Sequence, residues 1–357
     1  MKHRGELFDF ILKERLMIAS ASGLALTSIF AKHFPVCSRQ EIQVLYFLFI
    51  LFVAVKGLEN SGLLLRLSQS LERGKAVPLK LVVITFFLSM VVTNDAALIV
   101  IVPLTLALRI ERMDILVILE ALAANAGSAL TPFGNPQNLF IYWFYQISLK
   151  DFIAAIAPFS LFFLLLLVIS SLAIKTNKNN QPPVKMKKMG RSAYIHIALL
   201  LIVILAILRM LPFWLGAVVV IYVLLFERRN LRIDYALLLT FFFFFGFAEN
   251  IKILLASELQ SPSHIFLLSA AASQFISNVP AVLLLAKATT QWQALLWGAN
   301  VGGFGSLVGS LANLIAYKLY IRHENTNNTA LFTAKFFIIG YAAFFVGVSL
   351  YFLTADK

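Results

Sequence analysis

An asparagine-centred break occurs twice in this apolar chain. The first copy reads Thr93-Asn94-Asp95-Ala96-Ala97-Leu98 and the second reads Ser277-Asn278-Val279-Pro280-Ala281-Val282. Paired breaks in corresponding halves of an apolar chain are typical of the midplane site of a secondary transporter. Further asparagines keep one spacing, since 300 − 125 and 313 − 138 are both 175: Asn125 and Asn138 in the first copy, Asn300 and Asn313 in the second. The pattern indicates a duplication.

The composition places the chain in a lipid bilayer. Hydrophobic residues make up 60% of the chain and charged residues 13%, whereas soluble domains carry about 25% charged residues. Apolar runs of about 20 residues, the length that crosses a membrane, cover most of the chain. The net charge of +13 lies in the short connections, which is the positive-inside bias rather than a sign of nucleic-acid binding. We therefore predict an all-α polytopic membrane protein without a soluble domain.

Two segments, 79–108 and 264–290, each contain two apolar runs that are too short to cross separately. An asparagine motif lies between the runs, so we predict that each segment is a re-entrant helical hairpin with its tip in mid-membrane. Full spans are predicted at 16–34, 42–64, 115–147, 152–174, 194–210, 212–226, 234–256, 292–321 and 330–353.

The distribution of basic residues predicts the orientation. Basic residues flank the first hairpin and fill the linker around Gln181-Pro182-Pro183, so both regions are predicted to be cytoplasmic. The span 194–210 then inverts the second half. We predict an inner-membrane protein with a cytoplasmic amino terminus and an outer carboxyl terminus. Its parts are residues 1–174, a first inverted repeat with an N-terminal span; 175–211, a cytoplasmic linker and connecting span; and 212–357, a second inverted repeat.

Residues at the two tips can bind ions. One helix ends there with free carbonyls and the next begins with free N–H groups. Thr93, Asn94, Ser277 and Asn278 are therefore candidate Na⁺ ligands, while the helix N-termini attract an anion. The alternative is that the asparagines only cap or join helices, but their repetition favours the ion site.

The span after each hairpin contains a run of small residues. Pro132 and Pro136 bracket Gly134, which is incompatible with a continuous helix, so the first run is predicted to be unwound. The second run, 302–309, has glycines without prolines, and a glycine-rich packing face is its alternative interpretation. Asn125, Asn138, Asn300 and Asn313 complete the predicted substrate and ion site.

Asp95 distinguishes the two tips, because the corresponding residue of the second tip is Val279. A carboxylate at the bilayer centre costs about 2.5 to 3.5 kcal/mol, which favours a functional role. We predict that Asp95 binds the coupling proton or cation. The alternative is a structural helix cap.

Other charged residues within the spans are predicted to be structural. Lys56 with Glu59 and Glu249 with Lys252 have the i,i+3 spacing of local ion pairs. Glu120 is predicted to form an interface ion pair with a nearby arginine.

Together these motifs resemble the ion transporter superfamily, and more narrowly its ArsB/NhaD-type permeases, with the compact length of the short YbiR-like members. The resemblance covers about residues 40–353 and implies a scaffold domain, a transport domain, elevator-type movement and a homodimer. It departs from sodium-coupled dicarboxylate relatives, whose tips read Ser-Asn-Thr. By resemblance, one half-site contains Thr93, Asn94, Ser128, Thr131, Gly134 and Asn135, and the other contains Ser277, Asn278, Gly303, Gly305 and Ser306.

The predicted function is secondary active transport of a small anion coupled to H⁺ or Na⁺ by alternating access. The sequence has no nucleotide-phosphate loop that would indicate ATP as the energy source. The alternative is a Na⁺/H⁺ antiporter without an organic substrate. A channel is disfavoured by the broken inverted repeats, and an intramembrane hydrolase would need a nucleophile with a base or paired carboxylates. We expect no enzyme activity and no cofactor beyond bound Na⁺; the expected partners are the anion, the coupling cation and the lipid bilayer.

Overall fold

The regular structure of the chain is helical, as predicted. The computed structural model describes residues 15–64, 66, 76–108, 110–175, 190–255, 260–323 and 328–355. Short 3-10 turns at Phe213–Gly216 and Arg228–Leu231 precede α9 and α10. The α-helices of the described residues are α1 (Arg15–Ala31), α2 (Arg39–Asn60), α3 (Val77–Val92), α4 (Asn94–Ala107), α5 (Met113–Ser128), α6 (Pro136–Phe144), α7 (Leu149–Leu172), α8 (Arg191–Ile207), α9 (Ala217–Phe226), α10 (Tyr235–Leu255), α11 (Pro262–Ile276), α12 (Asn278–Ala286), α13 (Trp292–Gly302), α14 (Leu311–Ile321) and α15 (Thr329–Ala355).

Several helices have the length and apolar character that a bilayer requires. Other apolar helices have 10–17 residues, which is shorter than the about 20 residues of a standard crossing. The predicted crossing at 212–226 is one of these short helices, so the count of nine crossings stays a prediction. Four segments of the described chain are long enough to cross alone: Arg39–Asn60, Leu149–Leu172, Arg228–Ile253 and Thr329–Thr354.

Both predicted hairpins form. A single non-helical residue, Thr93, separates α3 from α4, and Ser277 separates α11 from α12 in the same way. The two arms of each hairpin pack against each other. The depth of the tips in a membrane stays a prediction.

Both spans that follow the hairpins are broken. Helix α5 ends at Ser128 and α6 begins at Pro136, while α13 ends at Gly302 and α14 begins at Leu311. The packing-face alternative for 302–309 is therefore wrong, because this run leaves the helix directly after Gly302. Prolines are not needed for the break in the second copy, since its glycines and serines make the turn.

The two halves interlock at the hairpins. Helix α3 packs against α5 and α11 packs against α13, which is the same neighbour in each half. Helix α14 also packs against α4, and α6 packs against α12, so each hairpin contacts the broken helix of the other half. The tips consequently meet near the centre. The inverted orientation and the boundaries at 174 and 211 stay predictions, and linker residues 176–189 lie outside the described residues.

Candidate ion-binding site

The two hairpin tips share an unusual backbone conformation. Thr93 and Ser277 have φ angles of 93° and 76°. Positive φ is uncommon outside glycine and is an outlier for a β-branched residue such as threonine. Strain of this kind persists only where the surroundings hold it, and it concentrates at ligand sites and switches.

Each tip is bonded to the unwound segment beside it. The Asn94 N–H donates to the Gly134 carbonyl over 3.1 Å, and the Asn278 N–H donates to the Gly309 carbonyl over 3.0 Å. The acceptors correspond, since 309 − 134 is 175. Gly134 is needed there because a Cβ would lie 2.3 Å from the Ser128 carbonyl oxygen.

Four buried asparagines connect the two broken helices. Asn125 Nδ2 donates to Asn313 Oδ1 over 2.9 Å, and Asn300 Nδ2 donates to Asn138 Oδ1 over 3.0 Å. The 175-residue offset exchanges the two bonds, because it relates 125 to 300 and 138 to 313. We name these four residues the asparagine frame. Its bonding has the symmetry that a duplicated chain would leave.

The frame uses its polar groups internally. Asn138 Nδ2 also donates to the Ala129 carbonyl over 3.0 Å, and Asn313 Nδ2 donates to the carbonyls of Gly303 and Ser306, both over 2.9 Å. Buried polar groups are almost always hydrogen-bonded, and here the bonds hold the unwound segments open. No frame residue lines the cavity between the tips. The frame therefore lies behind the tips and outside the lining of this cavity.

A cavity of about 70 Å³ lies between the tips, and we name it the central cavity. Helix N-termini carry free N–H groups and a partial positive charge. Residues from several helix N-termini line this cavity, so the partially positive ends of these helices lie beside it. Four helices begin there: α4 with Asn94, α6 with Pro136, α12 with Asn278 and α14 with Leu311.

Some polar groups at the central cavity have no hydrogen-bond partner within the described chain. Asp95 Oδ1 is buried and unpaired, and the Gln137 amide lacks a side-chain hydrogen bond although only 2% of Gln137 is exposed. Asn94, by contrast, donates to Asn125 over 3.3 Å and accepts from the Asp95 N–H over 3.0 Å. Asp95 is the one charged residue among the described residues that line this cavity.

A second cavity, of about 240 Å³, also has Asp95 in its wall. It is lined by Lys56 and Glu59 on α2 and by Arg232 and Asp234 before α10, and we name it the charged cavity. Lys56 Nζ lies 2.8 Å from Glu59 Oε2, which confirms this predicted local ion pair. Asp95 therefore lines both cavities and lies between the charged residues of the second cavity and the hairpin tips.

The structure separates the sixteen predicted site residues into groups. Thr131 Oγ1 donates to the Met90 carbonyl over 2.8 Å, and the Ser306 hydroxyl donates to the Gln274 carbonyl over 3.0 Å, so both hydroxyls bond to backbone carbonyls outside the two cavities. Asn94, Asp95, Ser277 and Asn278 reach the central cavity, and Thr93 reaches the charged cavity. The remaining predicted residues, away from both cavities, are Asn125, Ser128, Gly134, Asn135, Asn138, Asn300, Gly303, Gly305 and Asn313.

One predicted ion pair, Glu249 with Lys252, is wrong. Glu249 pairs with Lys287 over 2.8 Å, not with its neighbour on the helix, and Lys287 Nζ also lies 2.6 Å from Glu41 Oε1. Glu120 is fully buried and accepts a hydrogen bond from Thr105 over 2.5 Å. Glu120 forms no ion pair with Arg112, and its other predicted partner, Arg109, lies outside the described residues.

Three polar residues of the central cavity were not predicted from the sequence, and one of them, Ser310, donates to Asn125 over 2.8 Å. Gln137 and Thr240 both line the central cavity and are buried. Thr240 carries no sequence signal, since it lies inside an apolar helix. Gln137 could have been found, because its counterpart at position 312 is an alanine whereas the asparagines around it are duplicated.

Two helical hairpins and two broken helices place their N-termini at one cavity inside this apolar helical protein. This arrangement is typical of a secondary transporter. The sequence comparisons agree. Residues 10–297 match the model of the citrate transporter family CitMHS. The chain belongs to this family, within the ion transporter superfamily.

Three relatives bear names that refer to membranes or transport. The chain is 32% identical over 311 residues to the uncharacterized transporter MJ0456 of Methanocaldococcus jannaschii, covering 84% of this chain and 85% of that protein. It is 35% identical over 291 residues to the inner membrane protein YbiR of Escherichia coli K12, covering 75% and 77%. It is 32% identical over 156 residues to the silicon efflux transporter LSI3 of Oryza sativa subsp. japonica, covering 40% of this chain and 32% of that protein.

Proposed function

We propose that this chain is a secondary active transporter that binds a small anion in the central cavity and couples its movement to H⁺ or Na⁺ at Asp95. The observation that carries the proposal is the meeting of four helix N-termini with one carboxylate at that cavity. Helix N-termini favour negative charge, whereas ionised Asp95 opposes it. A proton or cation bound at Asp95 removes this opposition.

The charge balance favours symport. An anion and an ionised Asp95 repel each other at close range in a medium of low dielectric constant. Binding of H⁺ or Na⁺ at Asp95 therefore strengthens anion binding, and by linkage anion binding strengthens cation binding to the same degree. Both ions would cross together. Oxygen atoms of Asp95, Asn278 and Ser277 supply the hard ligands that Na⁺ would need.

The proposed movement is alternating access. The hairpin tips would be exposed in turn to the two sides of the membrane, while the asparagine frame keeps their geometry. Elevator-type motion and a homodimer belong to the proposal by resemblance to the superfamily. Citrate, named for the family, and silicon, named for the rice protein, are candidate substrates to include in the test.

The test is uptake by purified protein in proteoliposomes, with phosphate, arsenite, silicic acid and citrate as probes, each with and without an inward H⁺ or Na⁺ gradient. Arsenite and silicic acid are mostly uncharged near neutral pH and serve as neutral oxyacid probes. We expect an anionic probe, phosphate or citrate, to accumulate, and only when a gradient is present. Asn94→Ala and Asn278→Ala should abolish the uptake while the protein remains folded. Uptake that never exceeds equilibration, or wild-type flux through both variants, would contradict the proposal.

The second candidate is a Na⁺/H⁺ antiporter. The small volume of the central cavity, about 70 Å³, favours it, since cavities for organic ligands are typically about 300 Å³ or larger. The same proteoliposomes distinguish the two functions. An antiporter would exchange Na⁺ for H⁺ with no added anion, whereas a symporter would move the cation only when its anion is present.

A further inference from the structure

Gln137 is a buried polar side chain without a partner. It is the second residue of α6, only 2% of it is exposed, and it lines the central cavity. Its amide can donate two hydrogen bonds and accept two, yet within the described chain no side-chain bond is formed. The amide atoms of Gln137 are not among the fully buried unpaired side-chain atoms of the described residues, so they remain accessible from the cavity that Gln137 lines. A ligand that enters the cavity can therefore bond to this amide.

The local helix does not require the amide. Helix α6 is already capped by Asn135, whose Oδ1 accepts from the Asn138 N–H over 2.9 Å. Pro136 has no N–H group to satisfy. Gln137 is therefore not needed to complete the N-terminus of α6.

The duplicated frame does not require the amide either. Positions 134, 135 and 138 correspond to 309, 310 and 313, and in both copies these positions bond in the same way: Asn135 donates to Asn300 over 3.5 Å, and Ser310 donates to Asn125 over 2.8 Å. Position 137 corresponds to Ala312, which has no polar side chain. The amide is thus an addition to one half only, at the cavity wall.

We propose that Gln137 donates a hydrogen bond from Nε2 to an oxygen of the transported anion and thereby determines which anions the central cavity accepts. This inference rests on the proposed function. Residues at the N-termini of four helices line the cavity, and Gln137 adds a side-chain donor to its wall. Anions with an oxygen acceptor near this donor would be preferred over spherical anions such as chloride.

The test compares Gln137→Met with the wild type in proteoliposomes, using the oxyanion or oxyacid probe that the wild type accumulates. Methionine keeps the length of the side chain and removes the amide. We expect the KM for that probe to rise about tenfold, the size of one hydrogen bond to a charged ligand, with little change in the maximal rate. Competition by chloride should become stronger relative to the wild type.

Two further variants control the experiment. Gln137→Glu keeps the shape but replaces the donors with a carboxylate, and it should lose anion uptake more completely than Gln137→Met. Gln293→Leu, at an exposed position of α13, should leave the KM unchanged. Melting of each purified variant verifies folding, and if Gln137→Met does not fold, the Gln137→Glu variant carries the test.

The outcomes separate this inference from the proposed function. A wild type that accumulates a probe, together with an unchanged KM and unchanged anion preference in Gln137→Met, overturns the role of Gln137 alone. Normal uptake by Gln137→Glu also overturns it. A wild type that accumulates none of the probes overturns the proposed function, and the inference falls with it.

Discussion

The first and second hairpin tips have the same backbone but different chemistry. Thr93 and Ser277 both have positive φ, and Asn94 and Asn278 donate to corresponding glycine carbonyls. The next residue is Asp95 in one tip and valine in the other. The duplication has kept the geometry that brings helix N-termini together, and only one copy has a carboxylate. The comparison teaches that the asparagine frame and Asp95, the proposed coupling residue, are separate parts of the candidate site.

The two halves also differ in how the charged residues outside the tips are paired. Glu59 in the first half pairs locally with Lys56, whose side chain is 37% exposed. Glu249, in the corresponding position of the second half, pairs with Lys287 at the end of the second hairpin, and Lys287 also contacts buried Glu41 on α2. The second hairpin is thus fastened to α2 and α10, while the first hairpin borders the charged cavity.

The largest expected effect on stability comes from removing the lysine of an ion pair in each half. Lys287→Met leaves Glu41, with 1% side-chain exposure, without its partner, and removal of one member of a buried pair costs about 3–5 kcal/mol. Lys56→Met breaks an exposed pair worth at most about 1 kcal/mol. Thermal unfolding of both purified variants checks the ranking, and equal losses of melting temperature would contradict it.

Alanine substitutions in the two halves of the asparagine frame should lower the melting temperature by similar amounts. Asn125→Ala and Asn300→Ala each leave buried partners unpaired, at about 1–3 kcal/mol for each group. Because the two residues make corresponding bonds, we expect similar decreases in melting temperature. Gln40→Ala, at an exposed position, serves as the control. A large decrease in only one frame variant would show that the two halves are not equivalent.

The smallest effect on stability is expected from labels that test the inverted orientation. Glu111 and Thr290 are exposed and lie beyond the ends of the first and second hairpins, so Glu111→Cys and Thr290→Cys should change stability by less than about 0.5 kcal/mol. In a Cys37→Ser background, an impermeant thiol reagent should reach position 111 from the cytoplasm and position 290 from outside. Reaction of both from one side would refute the inversion.

Much of the fold could be predicted from breaks in apolar runs. Backbone groups freed inside a bilayer must be satisfied by protein, so Asn94, Asn278 and the Pro132–Pro136 bracket indicated hairpins and broken helices, which the structure has. The same reasoning could not distinguish the residues of the asparagine frame from the residues that line the central cavity. Asn125 and Asn94 look alike in sequence, and only their partners in space show that one bonds to the other half while the other lines the cavity.

Ion pairs between residues far apart in the chain could not be predicted from local spacing. The i,i+3 rule placed Glu249 with a neighbour on its own helix, but the contact with Lys287 joins residues 38 positions apart. Gln137 was not predicted because its position is not duplicated, since the corresponding residue of the second half is Ala312. A residue without a counterpart is the more informative signal at this site, as Asp95 also illustrates.

The most direct test of the account is coupling through Asp95. Asp95→Asn keeps the shape and hydrogen bonding of the protonated side chain but cannot exchange a proton. We would measure accumulation of the transported anion in proteoliposomes between about pH 5.5 and 8.5, the range in which buried carboxylates commonly titrate. The account predicts that Asp95→Asn still exchanges anion across the membrane but no longer concentrates it in response to a gradient. Accumulation with the wild-type pH profile would contradict it and leave Asp95 as a helix cap.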